Sequence, residues 1–129
     1  MNKILIEVSV GELLDKISIL EIKKDKIKDK EKLKFIAEEY KILKKQLSKN
    51  IKSDTALDNL FNNLRDINTK LWKIEDDKRH CENKKEFGEK FIKLSRDVHF
   101  FNDKRAKIKQ DINNYTGSEL KEIKEYTKY

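Results

Sequence analysis

The chain has 129 residues, 43% of them charged and 36% hydrophobic, with a formal net charge of +7. That is enough for one domain, and its polarity suits long helices with wide solvated faces. No apolar run reaches the roughly 18 residues of a membrane span, and the start MNKILIEVSV lacks the layout of a signal peptide; Cys81 is the only cysteine, so an internal disulfide is excluded and a cytoplasmic, membrane-free setting is expected.

There is no proline and there are only three glycines, Gly11, Gly88 and Gly117. Few breakers predict few, long elements. The positive balance raises nucleic acid as a partner, but charge of both signs is interleaved, as in KKDKIKDKEKLK from Lys23 to Lys34. A mixed pattern of that kind argues against a one-sided basic footprint. Of the 31 basic residues only Arg65, Arg79, Arg96 and Arg105 are arginines. In a lysine-rich chain an arginine marks a position where a planar, bidentate fork is useful.

Residues 1–8 read as a short extended N-terminal arm, with Ile4, Ile6 and Val8 alternating with Leu5 and Glu7. Ser9 then caps a helix, Glu12 completes a capping box, and Val8 with Leu13 forms a hydrophobic staple. Residues 10–48 carry helices one and two. The first has Leu13, Ile17 and Leu20 on one face, with Ile27 a heptad later; the second has Leu33, Ile36, Tyr40, Leu43 and Leu47. The phase breaks between Ile27 and Leu33, where Asp29 can cap a new helix.

Helix three, expected over 54–82 with Ser53 or Asp54 as its cap, has Leu57, Leu60, Leu64, Ile67, Leu71 and Ile74 on one face and Trp72 beside them. A polar turn at ENKKE, with Asn83 as a cap, leads into helix four over 83–115. Helix four carries Phe87, Phe91, Leu94, Val98, Phe101, Ile108 and Ile112, and Arg105 occupies the one seam position without an apolar side chain. A charge there costs several kcal/mol unless it is paired. Gly117 ends the helix. In the tail, 116–129, Ser118 either starts a short last helix or leads a strand of chain across the bundle. The expected fold is all-α: a helical bundle on a long antiparallel hairpin of helices three and four.

Three helices present acid and base beside an apolar stripe. Helix one offers Glu12, Asp15, Lys16, Glu21 and Lys23; helix three Glu75, Asp76, Asp77, Arg79 and Glu82; helix four Asn102, Asp103, Arg105 and Lys109. Surface i,i+4 pairs explain part of this. Convergence in a polar cavity explains the rest. No metal is expected, because His80 and His99 are the only histidines and His80 and Cys81 diverge on a helix. No phosphate-cradling glycine loop occurs and no cofactor is implied.

The segments GELLDKISILEIK (11–23), LWKIEDDKRHCE (71–82), FIKLSRDVHFFNDKRAKIKQDIN (91–113) and GSELKEIKEY (117–126) resemble a family of small bacterial and phage proteins known only as a domain of unknown function. The family patterns are ELxDKxxILxIK, LWxIEDxIRxxE, LARxVYxxNDxRAxxKxxIN and GSxxxEEKSY. This chain departs from them at Ser95, at His99 and Phe100, and at Ile123 to Glu125. The resemblance implies no activity. It marks Asp15, Lys16, Glu21, Lys23, Glu75, Asp76, Arg79, Glu82, Arg96, Asn102, Asp103, Arg105 and Lys109 as motif positions.

The leading expectation is therefore a polar site for a small anionic ligand, phosphorylated or carboxylated. Lys16, Glu21, Lys23, Arg79, Arg105 and Lys109 would bind it. Glu75 and Asn102 would orient it or, in a metal-free mutase, isomerase or lyase, act on it. The alternatives are a structural or adaptor hairpin that forms a homodimer or docks a partner, and a basic nucleic-acid-binding protein.

Overall fold

A computed structural model describes residues 2–129. It contains four helices, α1 (Val10–Lys26), α2 (Lys30–Asn50), α3 (Thr55–Lys84) and α4 (Glu89–Thr116), and no strand among the described residues. The helical-bundle expectation holds. The segments 2–8 and 118–129 have no regular secondary structure, so the tail forms no last helix.

Local chemistry sets the helix starts. Ser9 accepts from Glu12 N–H at 3.1 Å, Asp29 accepts from Glu31 and Lys32 N–H, and Asp54 accepts from Leu57 N–H at 2.8 Å. The first of these is only half of a capping box, because the Glu12 carboxylate is drawn instead to Lys109. The break between α1 and α2 is real, with Ile27 extended at φ −85° and ψ 135°.

The α3–α4 connection differs from expectation. Asn83 caps nothing; it lies in the last turn of α3, which runs on to Lys84. The helix ends when Lys85 turns left-handed (φ 57°), letting Lys85 N–H reach Glu82 C=O and Glu86 N–H reach Cys81 C=O. Helix α4 starts only at Glu89, behind Gly88, which supplies no side-chain cap. Phe87 lies outside the helix and packs edge-on against Phe91.

α3 and α4 pack along one another, and Tyr115 at the end of α4 donates to Asp54, the cap of α3. α1 lies against both, whereas α2 packs along α1 alone. The apolar core is Leu14, Leu57, Leu64 and Ile112, bordered by Val10, Leu47, Ile51, Leu60, Phe61 and Ile108. It sits where the start of α1, the start of α3 and the end of α4 meet. The face of α1 turned inward is not wholly apolar: Gly11, Asp15, Ser18 and Ile22, spaced four, three and four, are all buried.

The end of α4 locks onto the start of α1. Gly117 is left-handed (φ 66°) and closes α4, with Ser118 N–H bonded to Asn113 C=O. Val10 N–H donates to Ser118 Oγ at 3.2 Å and Gly11 N–H to Asn113 Oδ1 at 2.7 Å. The free N–H groups of the first turn of α1 are thus satisfied by Asn113 of α4, by Ser118 just beyond it and by Ser9. Contact is so close that a Cβ on Gly11 would stand 2.6 Å from Lys109 O.

Candidate functional site: a buried ion network and an adjoining groove

Asp15, 2% exposed, is the centre of the polar interior. Arg105 grips it with a two-point fork, Nε to Oδ1 at 3.0 Å and Nη2 to Oδ2. Asn68 of α3 donates to Asp15 Oδ1 and to Ser18 Oγ, each at 2.8 Å, and the Ser18 hydroxyl donates to Asp15 C=O. The arginine in the apolar seam of α4 therefore meets a carboxylate from α1, and an amide from α3 completes the arrangement. No buried side-chain nitrogen or oxygen lacks a partner among the described residues.

One turn along α4, Lys109 is 6% exposed and is held by three carboxylates: Glu12 and Glu122 at 2.8 Å each and Asp15 at 3.8 Å. Burial pulls its ammonium pKa down, but the hydrogen bonds it donates to Glu12 and Glu122 and the charge of Asp15 outweigh it, and the net shift is upward. The hydrogen bond from Lys109 holds the Glu122 carboxyl below its usual range. The hydrogen bonds to Asp15 push Arg105 higher still, so it stays charged. Two cations face three carboxylates here, and Lys16 approaches Glu12 at 4.0 Å. The cluster is close to neutral by itself.

Beside this network runs a groove of about 580 Å³ between α1, α3 and α4. Its apolar lining is Ile19, Ile22, Leu71 and Trp72; its polar lining is Asn68, Glu75, Asp76, Arg79, Asn102 and Arg105. A volume of this size suits a small organic ligand. Asn68 and Arg105, tied to Asp15, mark one end. Arg79, eleven residues further along α3 than Asn68, marks a point about 16 Å away. There Arg79 pairs with Glu75 at 3.2 Å and Asp76 with His80 at 3.4 Å. Neither Trp72 nor Asn102 makes a side-chain hydrogen bond to any described residue, so the indole N–H and the amide are available to the groove.

Four of the eight sequence-derived site residues, Glu75, Arg79, Asn102 and Arg105, line this groove. The other four do not. Lys109 is consumed by the ion network. Lys16 is exposed on α1. Glu21 accepts from Tyr40 Oη at 3.1 Å and pairs with Arg65 at 3.1 Å, bridging α1, α2 and α3. Lys23 is half-buried and makes no ion pair with a described residue. Burial and the Glu21 carboxylate raise the Tyr40 hydroxyl pKa.

Several contributors were not in the sequence-derived ligand set: Asp15, Ser18, Asn68, Trp72, Asn113 and Glu122. For Asp15 and Ser18 a signal existed, since Gly11, Asp15, Ser18 and Ile22 repeat at helical-face spacing. Asn68 stands next to Ile67 of the apolar stripe, and nothing in its neighbourhood distinguishes it. Glu122 comes from an irregular tail, for which periodicity offers no guide.

The architecture is that of a small helical bundle assembled around a buried, self-neutralised ion network with an open mixed groove beside it. The chain belongs to a family of unknown function (DUF6165), whose model matches residues 4–129. No curated protein and no solved structure matches the chain. No helix among the described residues is long and apolar enough to cross a membrane.

Proposed function

We propose that the groove binds a small anionic ligand with an apolar body, and that the protein is a binding module. The observation that carries this reading is the sharing of one groove by Arg79, Asn102, Arg105 and Trp72, with the donors of Trp72 and Asn102 lacking protein partners. The apolar part of the ligand lies against Leu71, Trp72 and Ile22. Its carboxylate or phosphate takes hydrogen bonds from Asn102 and from Arg105 Nη1, which has no acceptor within the protein. Arg105 enters this role pre-oriented, because Asp15 fixes two of its three nitrogens. Glu75 is half-exposed and already paired with Arg79, which suits a gate or orienting group better than a proton-transfer group.

Trp72 is the only tryptophan and lines the groove, so its fluorescence reports occupancy directly. Titration with phosphosugars, nucleotides and aromatic or aliphatic carboxylates should shift the emission for one class. Asn102→Ala and Arg79→Ala should weaken that binding at least tenfold with unchanged melting temperature, using the range for charge-assisted hydrogen bonds. An emission spectrum unmoved by every class would overturn the reading.

A second reading has its own support. Arg105 and Lys109 are already neutralised by protein carboxylates, as a purely structural bundle requires. On that reading a double change, Asp15→Leu with Arg105→Met, keeps the fold and most of its stability and costs no binding function. On the first, the same change abolishes ligand binding.

A further inference from the structure

The net charge is not spread evenly over the fold. Residues 27–53, which comprise α2 and its flanks, hold nine lysines against four carboxylates, a local +5 out of the chain's +7. On α3 and α4 three surface lysines are matched one turn on, Lys73 with Asp77, Lys93 with Asp97 and Lys107 with Asp111. No lysine of 27–53 makes an ion pair with a described residue. α2 also buries only Ile36 and packs along α1 alone, so most of its circumference faces water.

The helical repeat sorts these lysines. Lys30, Lys34, Lys41, Lys45 and Lys49, at steps of four, seven, four and four, fall within an arc of about 100°. All five are exposed. Leu33, Ile36, Tyr40, Leu43 and Leu47 occupy the opposite side. At the border of the lysine arc stand Phe35, 71% exposed, and Ile42, 56% exposed, two turns apart on one line of the helix. Of the interleaved acids, Glu38 falls inside the lysine arc and Glu31 at its edge, with Glu39 outside it, so the face carries five lysines against two carboxylates.

We propose that this face of α2 docks on an anionic lipid surface, lying in the headgroup plane. The lysines contact headgroup phosphates, and Phe35 and Ile42 enter the boundary with the acyl chains. Charge complementarity calls for a polyanion. The two apolar side chains select the lipid, because a phosphodiester backbone offers Ile42 nothing to bury against. A point-charge ammonium on a flexible stem also suits a fluid array of headgroups better than a fixed, bidentate target. Lying on a surface in this way is independent of the absence of a spanning helix.

The test is co-sedimentation of the full chain with phosphatidylcholine vesicles, with and without phosphatidylglycerol, and with duplex and single-stranded DNA in parallel. The expected result is binding only to the phosphatidylglycerol vesicles, reversed at high salt as the screening length contracts. Lys34→Gln, Lys41→Gln and Lys45→Gln together should weaken it about a hundredfold, and Phe35→Ser with Ile42→Ser should weaken it with the lysines intact. Circular dichroism of each variant checks that α2 is still helical. Failure to bind anionic vesicles at low salt overturns the proposal. So does DNA binding that survives Phe35→Ser and Ile42→Ser, which reassigns the face to nucleic acid.

Discussion

Two regions of this molecule treat charge in opposite ways. Where α1, α4 and the tail meet, Asp15, Glu12 and Glu122 are brought together with Arg105 and Lys109, and with Lys16 at the rim the charges balance. On α2, lysines stand in water without an ion pair, although Glu31 and Glu38 share their face. The buried set contributes little to net stability relative to a well-packed apolar equivalent, since desolvation of the ions offsets their attraction. What it does supply is specificity: α4 can meet α1 in only one register if Arg105 is to reach Asp15 and Lys109 to reach Glu12. The exposed set supplies no register at all. Its lysines repel one another weakly and await an external anion.

The largest effect should come from breaking the first region. Arg105→Met leaves Asp15, 2% exposed, with Asn68 and a distant Lys109 as its remaining partners. The expected cost is about 3–5 kcal/mol in urea unfolding. Adding Asp15→Leu should recover most of that loss. The bidentate carboxylate shows why the single change is costly and only the paired change is a fair test. Equal destabilisation in the single and double variants would mean that the ion pair is no unit.

A smaller, local effect should appear at the edge of the same region in acid. Glu122 has a folded pKa below its ordinary 4.5 because Lys109 donates to it. Its contribution is therefore present above pH 4.5 and is lost as pH falls through the lower folded value. Lys109 is shifted upward, so its own contribution persists to above its ordinary 10.5. The tail should thus detach from α4 in acid while the helices remain. The fast backbone motion of residues 119–125, read by NMR relaxation, should increase as pH falls below 4.5, and Glu122→Gln should remove that dependence. Tail motion indifferent to pH would break the link between Lys109 and the tail.

The outline of both regions was legible in the sequence to different depths. The caps at Ser9, Asp29 and Asp54 follow from local rules and all three form; on α1, however, Leu14 and Ile22 are buried where the spacing points to Leu13 and Ile27, and Phe87 falls outside α4. Arg105 announced itself by interrupting a seam. Its partner did not, because pairing depends on how α1 is rotated against α4, which a one-dimensional pattern does not encode. Lys16 and Lys23 show the converse: both sit in the same motif as Asp15, yet helical rotation turns one outward and leaves the other without an ion pair. The α3–α4 turn was misread because a lysine, not a glycine or asparagine, adopts the left-handed conformation at position 85. On α2 the mixed charge masked a face on which lysines outnumber acids, and that excess emerged only once the buried side of the helix was known.

The smallest effect, and the one whose sign matters most, concerns that face. If the lysines of α2 take no part in holding the fold, replacing Lys41 and Lys45 by Gln should not destabilise the protein. Lysine and glutamine have similar helix propensities, so backbone preference nearly cancels. What remains is like-charge repulsion of Lys45 with Lys41 and with Lys49, each four residues away, against one attraction between Glu38 and Lys41. Removing these together should raise stability by a few tenths of a kcal/mol at low salt. The same substitution at Lys93, whose ammonium lies 2.6 Å from Asp97, should lower stability by a similar amount. Both differences should shrink in high salt, because each is a solvent-exposed charge effect. Precise thermal melts of the variants, compared across salt, would resolve opposite signs at the two sites. Loss of stability at α2 equal to that at Lys93 would show that its lysines find partners in solution, and the division between a self-neutralised interior and an unsatisfied outer helix would fall.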